Sequence, residues 1–256
     1  MSSRRRRLET TVAAIQQRWG LRALRRLDSA AETTVLHIST GFPALDRVLK
    51  IGGVPRGFVT ELIGAPTSGM STLALRVIAN AQNGGDVVAY IDLDRSFDPD
   101  YAARCGVCLE QLLLVRPPGG QEGLEITCNL VARGGVGALI FDAASNLAAG
   151  PHGGENVSTA MRRLVAALRG SVCAPVFLTP LLAGPAGSVS HRSEGHPLSQ
   201  CAAVRLLIEK EQWILKRRDV MGYRARVSVL KNDFGPSGKS VAIAITFDGV
   251  VQGHGT

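Results

Sequence analysis

The sequence predicts an α/β fold in which a mostly parallel, twisted sheet is covered by helices. Short and continuous apolar runs, which are typical of strands buried on both faces, begin about every 25 to 37 residues along the middle of the chain. Segments with the apolar spacing of helices lie between these runs. The first run leads into a Gly-rich loop and a helical segment, so the predicted sheet begins with a βα unit.

Length and composition exclude several classes of protein. The chain has 256 residues, of which 45% are hydrophobic and 20% charged, as in a globular protein that forms one domain with a short appendage. No apolar run reaches the roughly 18 residues that a membrane-spanning helix needs, so no membrane partner is expected. Five irregularly spaced cysteines do not make a disulfide framework. We therefore expect a cytoplasmic protein.

Positive charge is concentrated in two regions. The formal net charge is +8, and residues 1–28 contain eight arginines against Glu9 and Asp28. Residues 204–239 contain nine Lys or Arg residues against four acids. Two basic regions indicate a polyanionic partner such as nucleic acid, although an arginine-rich end is also typical of a solvated tail.

A basic helix is predicted at the amino end. Apolar residues there follow the spacing of one helical face, at Leu8, Val12, Ile15 and Trp19. A helix of about three turns cannot bury this stripe by itself, so it is expected to pack on its own domain or on another subunit. We therefore divide the chain into a basic oligomerisation segment, residues 1–36, and a core, residues 37–256.

Further elements follow from the same patterns. We predict helices at residues 71–82 and 157–168, and strands at 59–63, near 86, 112, 138 and 175, and at 203–209, 224–231 and 241–247. The last three strands have short connections, so they are expected to extend the parallel sheet in antiparallel fashion. Residues 183–197 are rich in turn formers and have no period, which is typical of a long functional loop.

A phosphate-binding loop is predicted after the first strand. It comprises Gly64, Ala65, Pro66, Thr67, Ser68, Gly69, Met70, Ser71 and Thr72. Its glycine spacing, between a strand and a helix, matches the G-x-x-x-x-G-K-[ST] motif, whose backbone N–H groups point at phosphate oxygens. Met70 stands where the motif has lysine, and a thioether neither donates a hydrogen bond nor neutralises phosphate charge. Without its lysine, the same pattern also describes a plain strand-to-helix turn.

A magnesium site is predicted beside this loop. Ser71 holds the position of the hydroxyl that contacts Mg²⁺ in the motif. Asp142 ends the apolar run 138–141, and a carboxylate there would hold Mg²⁺ through water. ATP with Mg²⁺ is therefore the expected cofactor. No zinc is expected, because Cys105 and Cys108 form an isolated C-x-x-C pair without further ligands at zinc spacing.

Several blocks of the sequence resemble the bacterial RecA recombinase family. They occur in the order of that family and cover almost the whole chain: Ile38-Ser39-Thr40-Gly41, Gly52-Gly53-Val54-Pro55-Arg56-Gly57, Tyr90-Ile91-Asp92-Leu93-Asp94, Asp98-Pro99-Asp100-Tyr101-Ala102 and Val229-Leu230-Lys231-Asn232. The resemblance implies a RecA-type P-loop NTPase core with an N-terminal docking helix. The chain ends near the close of that core, so we expect the family's C-terminal domain to be absent.

The resemblance also implies roles for single residues. Asp94 takes the position of the catalytic acid. Asp98 and Tyr101 are implied adenine contacts, and Lys231 is implied to reach the nucleotide of the next subunit. The family holds single-stranded DNA with two loops. The second corresponds to 181–197, where the candidates are His191, Arg192, Ser193 and His196. The implied partners are single-stranded DNA and a filament built from the chain itself or from RecA.

Four departures from RecA affect its hydrolytic machinery. Met70 replaces the loop lysine, and Asp94 replaces a glutamate whose side chain is one methylene longer. Pro180 replaces the glutamine that senses the γ-phosphate, and Asp233 replaces one of two late lysines. Together they predict a degenerate ATPase that binds nucleotide weakly and has lost hydrolysis.

The leading hypothesis is a RecA-like DNA repair or recombination protein of the DNA damage (SOS) response that binds single-stranded DNA. Two alternatives stay open. One is an adaptor without DNA affinity that recruits a recombinase or a translesion polymerase in damage-induced mutagenesis, and the other is an active DNA-dependent ATPase with an unusual P-loop. A smaller question concerns Trp213 and Tyr223, which flank Lys216-Arg217-Arg218 as in a nucleic-acid stacking patch or an amphipathic hairpin.

Overall fold

The computed structural model describes residues 3–19, 35–142, 147, 153–181, 197–217 and 219–247. It separates into two compact units, Met1–Thr34 and Val35–Thr256. Helix α1 (Ser3–Trp19) belongs to the first unit and coincides with the predicted basic helix. Of its apolar stripe, Leu8 is exposed, whereas Val12 and Ile15 are half-buried.

The second unit contains six helices among its described residues. They are α2 (Pro43–Leu49), α3 (Met70–Asn83), α4 (Pro99–Arg104), α5 (Gly120–Arg133), α6 (Gly153–Leu168) and α7 (Pro197–Cys201), together with a 3₁₀ turn at Leu109–Gln111. The start of helix α4 is determined by local sequence, because Asp98 caps the helix and Pro99 occupies its first position. Over the described part of the chain, no helix has the length and apolar character needed to cross a membrane.

The strands form one large sheet and one short pair. They are β1 (His37–Ile38), β2 (Val54–Pro55), β3 (Thr60–Gly64), β4 (Val88–Asp92), β5 (Leu112–Val115), β6 (Ala138–Asp142), β7 (Ala174–Pro180), β8 (Val204–Lys216), β9 (Asp219–Asn232) and β10 (Ser240–Thr246). β1 pairs with β2, and the main sheet has the order β10-β9-β8-β3-β7-β6-β4-β5. Strands β8 to β5 in that order are parallel, whereas β9 and β10 add in antiparallel fashion. The predicted fold class is therefore confirmed.

The core lies on both faces of the sheet. Successive residues of a strand point to opposite faces, so β6 sends Ile140 into a cluster with α3 and sends Leu139 and Phe141 into a cluster with α5 and α6. The ring of Phe141 stacks on that of Phe177 from β7, with centroids 5.1 Å apart. Because the parallel strands share one direction, their carboxyl ends meet at a single edge of the sheet, where ligands bind in folds of this class.

Strands β8 and β9 are longer than the sequence predicts. The apolar pattern predicts strands at 203–209 and 224–231, but the pairing continues to Lys216 on one strand and starts at Asp219 on the other. The additional residues are mostly exposed, and register shifts interrupt the pairing at Lys210/Gln212 and at Ile214/Leu215. Apolar alternation is therefore lost in a segment whose backbone still pairs.

Candidate functional site

The predicted phosphate loop connects β3 to α3 and depends on two glycines. Gly69 precedes α3 with φ of 108°, a left-handed conformation that favours glycine. A Cβ at Gly69 would overlap Ile245 Cδ1, and a Cβ at Gly64 would lie 2.7 Å from the carbonyl oxygen of Ile208. The loop is therefore packed against β8 and β10 and requires glycine at both ends.

The loop itself makes a tight turn. Ala65, Pro66 and Thr67 are exposed, and the N–H of Ser68 donates to the carbonyl oxygen of Ala65 at 3.0 Å. The hydroxyl of Ser68 is buried and has no hydrogen-bond partner among the described residues. An unpartnered polar atom at the start of a helix is consistent with an anion site, because the first N–H groups of α3 lack intrahelical partners.

Met70 fills the position of the motif lysine with an apolar side chain. It is only 8% exposed and belongs to the hydrophobic core on the α3 face of the sheet. Its Cγ lies 3.2 Å from the position that a Cβ on Gly64 would take, so the Met70 side chain packs against the start of the loop. A buried thioether in this place brings no positive charge to the loop.

Asp142 ends β6 and is already hydrogen-bonded within the chain. The hydroxyl of Tyr90 donates to Asp142 Oδ2 at 2.5 Å. Burial raises the pKa of Tyr90, and the negative charge of Asp142 raises it further, so Tyr90 remains a donor. β7 alone separates β6 from β3, which places the Asp142 backbone about 10 Å from that of Leu62, two residues before Gly64.

Asp94, the predicted catalytic acid, is exposed in the turn that follows β4. The buried carboxylate beside this turn is Asp92, the last residue of β4, which stands opposite Asp142 in the register of β4 and β6. Asp92 accepts hydrogen bonds from the N–H of Ser96 at 2.9 Å and from Arg116 Nε at 3.0 Å. Sequence reasoning missed the ion pair between Asp92 and Arg116. The available signal was that Asp92 ends β4 and Arg116 follows the neighbouring strand β5.

Tyr101 lies beside the start of α3. Asp98 Oδ1 accepts a hydrogen bond from the N–H of Tyr101 at 2.9 Å, which fixes the start of α4. The Tyr101 hydroxyl then lies 2.6 Å from the hydroxyl of Thr72. The structure thus brings Tyr101 and Thr72 together, whereas the carboxylate of Asp98 is used as a helix cap.

Tyr223 of β9 is a further neighbour of the loop that sequence reasoning did not assign to the site. Its hydroxyl lies 3.2 Å from the position of a Cβ on Gly69. Burial raises the pKa of Tyr223 to about 12, while a hydrogen bond with Thr72 acts in the opposite direction. Tyr101 and Tyr223 therefore both meet the first turn of α3.

Lys231 is not brought to the phosphate loop of its own chain. It stands opposite Arg205 near the amino end of β8, whereas the loop follows the carboxyl end of β3. Its Nζ donates to the carbonyl oxygen of Ala202 at 2.6 Å and lies 3.6 Å from Asp233 Oδ2. A contact of Lys231 with the nucleotide of another subunit stays a prediction.

The predicted DNA loop begins next to the phosphate loop. Pro180 ends β7 and stands opposite Gly64 in the parallel register. The N–H of the next residue, Leu181, donates to the carbonyl oxygen of Gly64 at 2.8 Å. The four candidate DNA contacts lie outside the described residues, at His191, Arg192, Ser193 and His196.

The donor set partly fits a magnesium–nucleotide complex. Ser71 is exposed at the first turn of α3, and Asp142 is half-buried at the same edge of the sheet, so both offer the oxygen ligands that Mg²⁺ prefers. Within the described ranges, no group of three or more His, Cys, Asp or Glu side chains is able to hold a metal by itself. The two donors therefore suit Mg²⁺ only together with phosphate oxygens. Of the C-x-x-C pair, Cys105 is buried and Cys108 is exposed.

Comparison with known proteins agrees with this architecture. Residues 6–252 match the family model described as the RecA N-terminal domain. The chain is 33% identical to Protein RecA of Streptomyces venezuelae over 96% of its own length and 69% of the relative. It is 33% identical to Protein RecA of Nocardia farcinica and 34% identical to that of Rubrobacter xylanophilus, over 97% of the chain and 76% and 75% of those relatives. These matches confirm the resemblance carried by the motifs, and the chain therefore belongs to the RecA family.

Proposed function

We propose that the chain is a RecA-like recombination and repair protein that binds single-stranded DNA in the cytoplasm and assembles with itself or with a RecA filament. In this proposal, nucleotide is bound weakly and is not hydrolysed at a useful rate. The observation that carries the proposal is the buried Met70 inside an otherwise intact strand–loop–helix arrangement. Family membership over residues 6–252 supports the recombination and repair role.

Weak nucleotide binding follows from what the loop retains and what it lacks. The N–H groups at the start of α3 would bind phosphate oxygens, and Ser71 and Asp142 would hold Mg²⁺, which supplies charge neutralisation when bound. Met70 removes one charge-assisted hydrogen bond, worth roughly 1.5–3 kcal/mol, or about a tenfold to hundredfold loss of affinity. The loss is greater in the transition state of hydrolysis, where phosphate charge redistributes.

Loss of hydrolysis is supported at two further positions. Asp94 has a shorter side chain than the family's glutamate and lies in an exposed turn, so it is poorly placed to orient a water molecule. Pro180, at the end of β7, has no side-chain group that would hydrogen-bond to a γ-phosphate. The hydroxyl of Tyr90 also donates to Asp142 Oδ2, so one oxygen of this carboxylate already has a partner within the chain.

Single-stranded DNA binding is supported by the sequence of the predicted loop and by the place where that loop starts. The loop contains the basic and hydroxyl side chains of His191, Arg192, Ser193 and His196. It starts at Leu181, whose N–H bond to Gly64 joins it to the phosphate loop. Binding built on basic groups weakens steeply as salt concentration rises.

The test is fluorescence anisotropy with labelled oligo-dT, with and without ATP and Mg²⁺, at two salt concentrations. Steady-state ATP hydrolysis is measured in parallel. Met70→Lys restores the motif lysine, and Met70→Leu is the matched control that changes the side chain without adding charge. We expect salt-sensitive DNA binding by the native chain that is indifferent to nucleotide, no hydrolysis, and higher ATP affinity in Met70→Lys alone.

Two outcomes would replace the proposal with an alternative. DNA binding that requires ATP, together with hydrolysis by the native chain, would identify an active DNA-dependent ATPase with an unusual P-loop. Absence of DNA binding at low salt in every variant would leave an adaptor of a recombinase or of a translesion polymerase in damage-induced mutagenesis.

A further inference from the structure

Tyr90 and Asp142 lie on the face of the sheet that α3 covers. Successive residues of a strand alternate between the two faces, so Tyr90 and Asp92 of β4 share one face with Ile140 and Asp142 of β6. Tyr90 and Ile140 belong to the hydrophobic cluster that includes α3, which identifies this face. The Asp142 carboxylate is therefore on the same side of the sheet as the phosphate loop, which leads into α3.

The Tyr90 side chain is fixed by packing beside this carboxylate. Tyr90 is only 2% exposed, and its ring packs against the ring of Phe97 with centroids 4.8 Å apart. Its hydroxyl reaches forward to the carboxyl end of the neighbouring strand and donates to Asp142 Oδ2 at 2.5 Å. Within the described ranges, the hydroxyl has no second hydrogen-bond partner. Displacing it from Asp142 would therefore leave a buried O–H group unsatisfied, which costs free energy.

The second acid at this edge of the sheet is neutralised within the chain. Asp92 is fully buried, and its Oδ1 accepts a hydrogen bond from the N–H of Ser96 at 2.9 Å. Its Oδ2 accepts from Arg116 Nε at 3.0 Å, in an ion pair. Asp92 therefore adds little attraction for a cation beyond that of Asp142 itself.

Tyr90 makes the same demand on Asp142 as a hydrated metal ion would. Mg²⁺ dehydrates reluctantly and usually keeps several waters, so a carboxylate holds it in part by accepting hydrogen bonds from those waters. An ionised carboxylate offers about four lone-pair positions, and the Tyr90 hydroxyl takes one of them. The donor also draws negative charge away from the carboxylate, which weakens its attraction for a cation. Because packing has already fixed Tyr90, its hydroxyl competes well with mobile water.

We infer that the Tyr90 hydroxyl competes with hydrated Mg²⁺ for the Asp142 carboxylate, so that ATP binding by this chain depends little on Mg²⁺. The inference rests on the proposed weak nucleotide binding and gives Tyr90 a role in the choice between free ATP and its magnesium complex. Met70 is apolar and brings no positive charge in place of the ion. Both forms of ATP therefore bind weakly and with similar affinity.

A different role for the same hydrogen bond predicts the opposite effect. Partners that orient a metal-holding group raise its affinity for the metal, and their loss lowers that affinity. If Tyr90 served mainly to orient Asp142, removal of its hydroxyl would make ATP binding less dependent on Mg²⁺. Competition predicts that removal makes it more dependent, so the sign of the change separates the two roles.

The experiment measures the affinity for methylanthraniloyl-ATP in excess Mg²⁺ and in EDTA. Tyr90→Phe keeps the buried ring and removes the hydroxyl. Thr127→Val is the matched control, because it removes a buried hydroxyl from α5, on the other face of the sheet, where Thr127 donates to the carbonyl oxygen of Gly123. We expect Mg²⁺ to change the affinity less than about threefold in the native chain and in Thr127→Val, but about 10- to 100-fold in Tyr90→Phe, the range for one hydrogen bond to a charged group.

Two further backgrounds locate the effect. In Asp142→Asn, the additional Mg²⁺ dependence caused by Tyr90→Phe should disappear, because the carboxylate for which the hydroxyl and the ion compete is gone. Met70→Lys, which should bind ATP more tightly, provides a second background in which Tyr90→Phe should again increase the Mg²⁺ dependence. Circular dichroism and thermal melting check that each variant is folded.

The outcomes distinguish the inference from the proposed function. A Mg²⁺ dependence in Tyr90→Phe that is equal to or lower than that of the native chain would overturn the inference, and so would an increase that persists with Asp142→Asn. If Met70→Lys binds ATP and the native chain does not, the proposed weak binding fails, and the effect of Tyr90→Phe on Met70→Lys decides the inference. Absence of ATP binding by every variant would overturn both.

Discussion

The parallel sheet and the hairpin arm, which is the part of β8 and β9 at residues 209–226, each contain an arginine–glutamate pair. The two pairs differ in their surroundings. In the sheet, Glu61 is 1% and Arg205 12% exposed, and Thr179 also donates to Glu61. On the arm, Glu211 is 32% and Arg226 54% exposed. Buried charges depend on each other for solvation, whereas exposed ones exchange partners with water. The charged groups of the pair in the sheet are therefore held in place, whereas those of the pair on the arm are accessible to solvent.

The same contrast separates the edge of the sheet that carries the phosphate loop from the exposed aromatic residues near the hairpin arm. At the edge, Asp92 is engaged by Arg116, Asp142 accepts from Tyr90, and Met70 is buried in the loop. On the arm Trp213 is half-exposed, and so is Phe247, which follows β10. The chain therefore keeps the strand–loop–helix fold of the family's nucleotide site, but the side chains at that site are engaged within the chain. The exposed aromatic side chains lie elsewhere.

The largest expected effect comes from breaking the buried pair. Arg205→Ala leaves the Glu61 carboxylate buried without its charged partner, which should lower the free energy of unfolding by about 3–5 kcal/mol. Arg226→Ala, the matched change on the arm, should cost less than about 1 kcal/mol. Urea denaturation of both variants measures the difference, and equal losses would contradict the contrast.

The next effect tests the place where β10 touches the phosphate loop. Gly69→Ala combines a left-handed φ of 108° with overlap of Ile245, whereas Gly85 has φ of 87° and nothing within 4 Å of an added Cβ. We expect Gly85→Ala to cost about 1–2 kcal/mol from the backbone alone, and Gly69→Ala about 1–3 kcal/mol more from overpacking. Thermal or urea unfolding measures both, and an equal cost would show that β10 moves aside freely.

A pH-dependent effect follows from Tyr223. Its pKa is raised by burial from 10.0 to about 12, so the folded chain holds the phenolic proton more tightly than the unfolded chain does. The associated stability is fully present below pH 10 and is lost as pH rises toward 12. In unfolding measured from pH 8 to 12, the native chain should therefore lose stability more steeply than Tyr223→Phe. Parallel curves would contradict a protected hydroxyl.

The smallest expected effect is on stability at Trp213 of the hairpin arm. Trp213 is half-exposed, so Trp213→Ala should lower the free energy of unfolding by less than about 1 kcal/mol. Phe177→Ala, which removes a fully buried ring from the sheet, should cost about 3–5 kcal/mol. Urea denaturation compares them, and a cost at Trp213 as large as that at Phe177 would contradict the contrast between the two regions.

The sequence predicted the parallel sheet well because most of its strands are buried on both faces, the edge strand β5 being the exception. Continuous apolar runs identify such strands, and the predicted helix 71–82 matches α3 to within one residue at each end. The length of the hairpin arm was missed because its residues are exposed and its register shifts break the alternation. Backbone pairing alone leaves little trace in a sequence.

The candidate site was predictable where a local motif defines it. The loop glycines and Asp142 were located by spacing, because strand–loop–helix geometry is encoded within a few residues. The contacts of Tyr90 with Asp142 and of Asp92 with Arg116 were missed, since they depend on the placement of β4 between β6 and β5. The Asp98 cap had a local signal, an aspartate before proline at a helix start.

The central position of β3 also governs how the chain reaches its folded state. The side-chain bonds of Glu61 reach Thr179, 118 residues later, and Arg205, 144 residues later. During synthesis β3 emerges long before β7 and β8. Its apolar residues therefore stay unpaired with these strands until both have been synthesised. Such distant pairing makes folding slow and exposes the nascent chain to aggregation, and molecular chaperones would protect it during this interval.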